Sequence, residues 1–128
     1  MKFRTLFFSV SGIAVLIAIW TLSLFPGPDL PDIPGSDKWH HSLAYFACMF
    51  CWGQLFRRPL RRLQLAIAFT AMGALIESIQ YLTPTRTFDF FDMWANAIGV
   101  IFGWFVVTVQ LSVERRLFPD APTSPPSE

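Results

Sequence analysis

Charge is scarce in this chain. Only 15% of its 128 residues are Asp, Glu, Lys or Arg, where soluble domains carry about a quarter. The net charge of +1 is too small to point to a partner, so the placement of the charges matters more than their sum, and no nucleic-acid partner is expected. Glycine-rich phosphate loops and serine nucleophile elbows are absent. The two cysteines, Cys48 and Cys51, form a C-x-x-C inside an apolar run. They have no thioredoxin-like βαβ context and no basic neighbour to lower a thiol pKa, so they are expected to pack. His40 and His41 are adjacent, so on a helix they point in different directions. No H-x-x-x-H or H-E-x-x-H is present, and no metal site or cofactor is read from the sequence. No internal repeat is visible.

What the chain has instead is length of apolar sequence. It is 53% hydrophobic, with a mean hydropathy of +0.44. The excess collects in runs, which indicates a membrane rather than an oversized core. Lys2 and Arg4 precede a run from Leu6 to Phe25. That run exceeds a signal core and lacks a clear small-x-small cleavage site, so a retained first span is expected. Further spans are drawn at about 39–56, 63–82 and 93–113, each of spanning length. The expected fold is an all-α membrane protein, an antiparallel four-helix transmembrane bundle occupying residues 1–116. The Pro- and Ser-rich tail, residues 117–128, is expected to be disordered.

The basic residues set the orientation. Lys2 and Arg4, "RRPLRR" (57–62), and Arg115 with Arg116 all fall on one side of a four-span topology. Asp29, Asp32, Asp37, Lys38, Arg86, Asp89 and Asp92 fall on the other. The positive-inside rule then puts both termini in the cytoplasm. Glu77 lies about 21 Å along the third span from Leu63, which places it in the outer half of the bilayer. His41, Tyr45, Gln80, Asp92 and Asn96 fall in the same layer. Asp37, His41 and Tyr45 follow one helical face, Glu77 and Gln80 another, and Asp92, Asn96, Gly99 and Gly103 a third. Gly99 and Gly103 form a small-xxx-small pattern that permits close helix approach. If the stripes face inward, they line a shallow pocket open to the outside. An acid within a span is a functional candidate by default.

Three ordered motifs carry a resemblance. "DKWHHSLAYF" supplies Asp37, Lys38, His41 and Tyr45; "ESIQ" supplies Glu77 and Gln80; "RTFDFFDMWANAIGVIFG" supplies Arg86, Asp92, Asn96, Gly99 and Gly103. Between Asp37 and Gly103 the chain resembles the VanZ-like family of small bacterial membrane proteins. His40 and Asp89 stand outside the family pattern. The resemblance implies a multi-pass protein of the bacterial cytoplasmic membrane with an envelope role, the family being named for an accessory determinant of teicoplanin resistance.

The expected function is binding or conversion of an anionic lipid-linked or peptidoglycan-related envelope substrate, with a possible link to glycopeptide tolerance. In that expectation Glu77, His41 and Asp92 are the catalytic candidates. Lys38, Arg86, Gln80, Asn96, Tyr45 and Asp37 bind the substrate, and a membrane lipid or lipid-linked precursor is the partner. The alternative is a non-catalytic structural or assembly factor whose polar network locks the helices. A small transporter fits less well, because the polar residues stop in the outer layer and no pair of broken midplane helices is seen.

Overall fold

The computed structural model describes residues 2–25, 36–82 and 90–118, with the side chains of residues 36 and 37 outside that description. The expected disorder of the tail falls almost wholly outside the described residues. Within them the chain is all-helical, with no strand. The helices are α1 (Lys2–Leu24), α2 (Ser36–Gly53), α3 (Pro59–Tyr81) and α4 (Phe90–Leu117).

Each helix follows an apolar run, but three boundaries shift for local reasons. Helix α1 extends back to Lys2, so Arg4 is a helical residue rather than a flanking one. Helix α3 starts at Pro59, because proline fits the first helical turn, where its missing N–H leaves no bond unmade. Arg61 and Arg62 are thereby drawn from the expected loop into the helix. Helix α4 has 28 residues, about 42 Å at 1.5 Å per residue. It overshoots a hydrocarbon core of about 30 Å, and Arg115 and Arg116 in its last turn complement the helix dipole.

Three helices, α1, α3 and α4, are long and apolar enough to cross a membrane. Helix α2 is not among them. Its opening turns carry Lys38, His40 and His41, which lower its hydropathy. The packing explains how such a helix is accommodated. Tyr45, Cys48 and Met49 of α2 are buried, and α2 makes its largest interface with α4.

That interface runs in register along both helices. Lys38 meets Asp92, Phe46 meets Phe102, and Gln54 meets Gln110. The two glycines of α4 make it close. A Cβ on Gly99 would collide with the Ser42 carbonyl oxygen, and one on Gly103 would lie 2.9 Å from the Phe46 carbonyl oxygen. The small-xxx-small pattern thus brings backbone against backbone, as such patterns do between membrane helices.

The polarity of the molecule is turned inside out. Phe3, Leu6, Phe7, Ile17, Ile67, Ile101 and Phe105 are exposed, while Gln54, Arg62, Glu77, Gln80 and Asn96 are buried. A surface this apolar is suited to lipid rather than water.

The buried and half-buried polar residues form two groups at opposite ends. At the basic end, Arg4 donates to Glu114 (3.1 Å) and to Gln54 (2.7 Å). Gln54 donates to Gln110 (2.8 Å), and Gln110 donates to Glu114 (3.2 Å), closing a ring across α1, the residue that follows α2, and α4. Arg62, 1% exposed, donates to the carbonyls of Phe56 (3.0 Å) and Arg57 (3.1 Å) and to Thr108 Oγ1 (3.3 Å). These carbonyls lie just past the end of α2, so Arg62 clasps the α2–α3 connection to α4.

Candidate functional site

The other end holds the candidate site. Helix α2 contributes His41 and, one turn further on the same face, Tyr45. Helix α3 contributes Glu77, with Gly73 one turn below it. Helix α4 contributes Asp92 and, one turn on, Asn96. These i, i+4 spacings stack the side chains in two layers. In the upper layer, His41, Glu77 and Asp92 each offer one nitrogen or oxygen atom, and the three atoms lie within 4.8 Å of one another. In the lower layer, Gly73 leaves room for its neighbours. A Cβ there would sit 3.2 Å from Asn96 Cβ and 3.4 Å from Tyr45 Cε1.

Burial grades across the site. Glu77 is 2% exposed, whereas His41 and Asp92 are half-buried. The cluster therefore opens at its edge and closes toward α3. Lys38 Nζ lies 3.5 Å from Asp92 Oδ1 and 5.9 Å from the centroid of the Phe91 ring, within cation–π range. Two ionised carboxylates with oxygens this close repel by roughly 3 kcal/mol at an effective dielectric near 20, so positive charge at the cluster is favoured. In the layer beneath, Tyr45 Oη and Asn96 Oδ1 are buried and make no hydrogen bond among the described residues. Buried polar atoms of this kind generally face water, an ion or a ligand.

Most of the residues singled out from the sequence meet here. His41, Glu77, Asp92 and Lys38 form the upper layer, and Tyr45 and Asn96 the lower. Gln80, on the same helix as Glu77, also reaches α1. Its Nε2 donates to the Ser23 carbonyl at 2.7 Å, which ties α3 to the last turn of α1. Arg86, Asp89 and the side chain of Asp37 lie outside the described residues. His40 is exposed, and Cys48 and Cys51 are free thiols within α2.

Sequence reasoning did not foresee the ring at the basic end. Its signal was available in Gln110 and Glu114, one turn apart at the depth where Arg4 and Gln54 also fall.

The arrangement can do two things chemically. Carboxylate and imidazole side by side can exchange a proton with a bound group. The same donors, with Lys38 at the rim, can hold a charged ligand. A family model described as VanZ/LLP1 matches residues 19–111, about three-quarters of the chain. The chain belongs to the VanZ/LLP1 family. The match starts late in α1 and includes every helix segment of the candidate site. No curated protein matches the chain, and no solved structure does. As a VanZ/LLP1 member with three long apolar helices, it is a membrane protein. Teicoplanin resistance attaches to the family's name.

Proposed function

We propose that the chain crosses the bacterial cytoplasmic membrane four times as an antiparallel bundle, with both termini in the cytoplasm. Its pocket, just under the outer surface, binds the anionic head group of a lipid-linked envelope precursor. The observation that carries this reading is the convergence of Lys38, His41, Glu77 and Asp92 at one end of a bundle whose exterior is apolar. The opposite end carries Arg4, Arg57, Arg58, Arg61, Arg62, Arg115 and Arg116, and the positive-inside rule supports a cytoplasmic position for it.

Lys38 and His41 donate to the head group, and Arg86 supplies a further cation in this proposal. Glu77 is the group set to take or give a proton, with Asp92 holding Lys38 and His41 in place. Asn96 and Tyr45 satisfy their buried polar atoms on the ligand. A groove of about 550 Å³ between α3 and α4 supports the lipid half of the reading. It is lined by Ala66, Ile67, Ala71, Ala74, Val100 and Trp104 among others. Its upper end lies one helical turn below Glu77 and Asn96, where the first acyl chain of a bound lipid would leave the head group. If the precursor belongs to peptidoglycan synthesis, its capture is a route to glycopeptide tolerance.

The test is a mass spectrum of the lipids that co-purify with the protein. Wild type is expected to enrich an anionic envelope lipid, and Glu77→Gln and Lys38→Ala to lose it while keeping their melting behaviour. A lipid profile identical among the three, and equal to the bulk membrane, refutes the reading. A second reading, a non-catalytic assembly factor, is favoured by the bond from Gln80 to the Ser23 carbonyl, which ties α3 to α1. It predicts that Glu77→Gln unfolds the protein rather than emptying it.

A further inference from the structure

Helices α2, α3 and α4 each deliver one side chain to a single point: an imidazole, a buried carboxylate and a half-buried carboxylate, with donor atoms no more than 4.8 Å apart. A zinc ion with ligands at about 2.0–2.1 Å in tetrahedral geometry holds its donors about 3.4 Å apart. Small side-chain rotations therefore close the triad around an ion, without moving a helix. We infer that His41, Glu77 and Asp92 form a binding site for a divalent transition-metal ion of the zinc type. The inference rests on the reading of this pocket as a binding site and names the group that makes it attractive to an anion; with the ion held, His41 and Glu77 serve as its ligands in place of the donor and proton-transfer roles given above.

Three observations carry it. The donor set mixes one nitrogen with two carboxylates, which suits zinc and its first-row neighbours better than magnesium or calcium. Three protein ligands leave a coordination position open, the pattern of metal sites that engage a further ligand rather than merely brace a fold. Beneath the triad, Tyr45 Oη and Asn96 Oδ1 are buried without a hydrogen-bond partner among the described residues, and Tyr45 lies within electrostatic reach of Glu77. They are the polar layer that a metal-bound water or ligand would satisfy.

The charge balance points the same way. Carboxylates at the mouth of a pocket repel a phosphate unless positive charge is held between them. A divalent ion held between the carboxylates turns the mouth of the pocket positive and presents a direct ligand site for a phosphate oxygen. Lys38, bound to Asp92 at the rim, then faces the same anion from the side. No H-x-x-x-H motif announces the site, because its ligands come from three helices and meet only in space.

The test uses the full chain in detergent, stripped with a chelator and desalted, with Zn²⁺ alone as the probe. Wild type is expected to bind one Zn²⁺ per chain. His41→Ala and Asp92→Asn should each weaken binding by more than the roughly 10–100-fold that losing an outer-shell partner costs. His40→Ala, at the exposed neighbour, should leave it unchanged. Cobalt(II) should give the visible absorption of a nitrogen–oxygen site in wild type and not in His41→Ala. Melting each variant in chelator checks that it is folded. Should Glu77→Gln fail to fold, the two variants at half-exposed positions decide the matter. No stoichiometric binding by wild type, or binding that both variants leave intact, overturns the inference. The lipid spectrum separates the two proposals. Enriched lipid on a protein that binds no zinc removes the metal and keeps the pocket's ligand. Zinc bound at the triad without lipid enrichment removes the lipid and keeps the metal.

Discussion

Replacing Gly99 with alanine puts one methyl group where α4 meets the backbone of α2. The new carbon would collide with the Ser42 carbonyl oxygen and lie 3.1 Å from the Phe46 amide nitrogen. Neither atom belongs to a side chain that can rotate away, so the helices themselves must part. Comfortable carbon contacts begin near 3.5 Å. At Gly103 the same change meets the Phe46 carbonyl oxygen at 2.9 Å and Met49 Cβ at 3.0 Å, a milder overlap. At Gly12 the nearest atom, at 2.8 Å, is Nε1 of the Trp52 side chain, which can shift. Overpacking typically costs about 1–3 kcal/mol, and alanine returns about 1 kcal/mol of helix propensity.

The expected net losses are therefore at the top of that range for Gly99→Ala, about 2 kcal/mol or somewhat more, about 0–2 for Gly103→Ala and near zero for Gly12→Ala. At roughly 2–8 °C per kcal/mol, Gly99→Ala should melt about 10 °C below wild type. Thermal unfolding in micelles, followed by the fluorescence of the five tryptophans, gives the ranking. Parting α2 from α4 also draws His41 away from Asp92, so Gly99→Ala should lose zinc affinity in proportion to its loss of stability. A Gly99→Ala protein that melts with wild type refutes the claim of direct backbone contact; a Gly12→Ala protein that melts well below it shows instead that the Trp52 ring cannot shift.

Other expectations follow from the polar contacts. Arg62→Ala takes the donor from the Phe56 carbonyl and from Thr108 Oγ1, while the Arg57 carbonyl keeps its bond from Arg115, so at about 1–3 kcal/mol for an unmet buried group the loss should show clearly in a denaturant titration. Arg4→Ala opens the ring with Glu114 and Gln54, but the pair is partly exposed, so its loss should stay below about 1 kcal/mol and shrink further in high salt. Gln80→Ala removes the tie to Ser23 and should cost roughly 0.6–1.7 kcal/mol, the range for hydrogen bonds between membrane helices. Its main effect should be faster disulfide trapping between cysteines placed on α1 and other helices.

The helices were legible because apolar runs of membrane length leave little choice. The upper layer of the site was legible for a second reason. Depth along each span and an i, i+4 rhythm together confine His41, Glu77 and Asp92 to one small region. Gln80 shares that depth, but depth did not reveal that its Nε2 would donate to the Ser23 carbonyl of α1. Arg62 was read as a loop cation because it stands in "RRPLRR". Only the helix start at Pro59 brings it onto a face opposite Thr108. Helix α2 shows the limit of hydropathy. A helix flanked by others is judged by its protein neighbours rather than by lipid, so its modest apolarity carries little information about where it sits.

That property of α2 has a consequence for biogenesis. A segment whose opening turns carry Lys38, His40 and His41 partitions poorly into lipid unaided, and the helix it lies against most closely, α4, is translated after both α2 and α3. In a membrane-inserted chain, α2 would reach its final depth only when α4 emerges and covers it, so assembly of this end would be a late step rather than a stepwise one. A nascent chain truncated after α3 should leave a cysteine at position 41 open to a membrane-impermeant reagent. The complete chain should shield it.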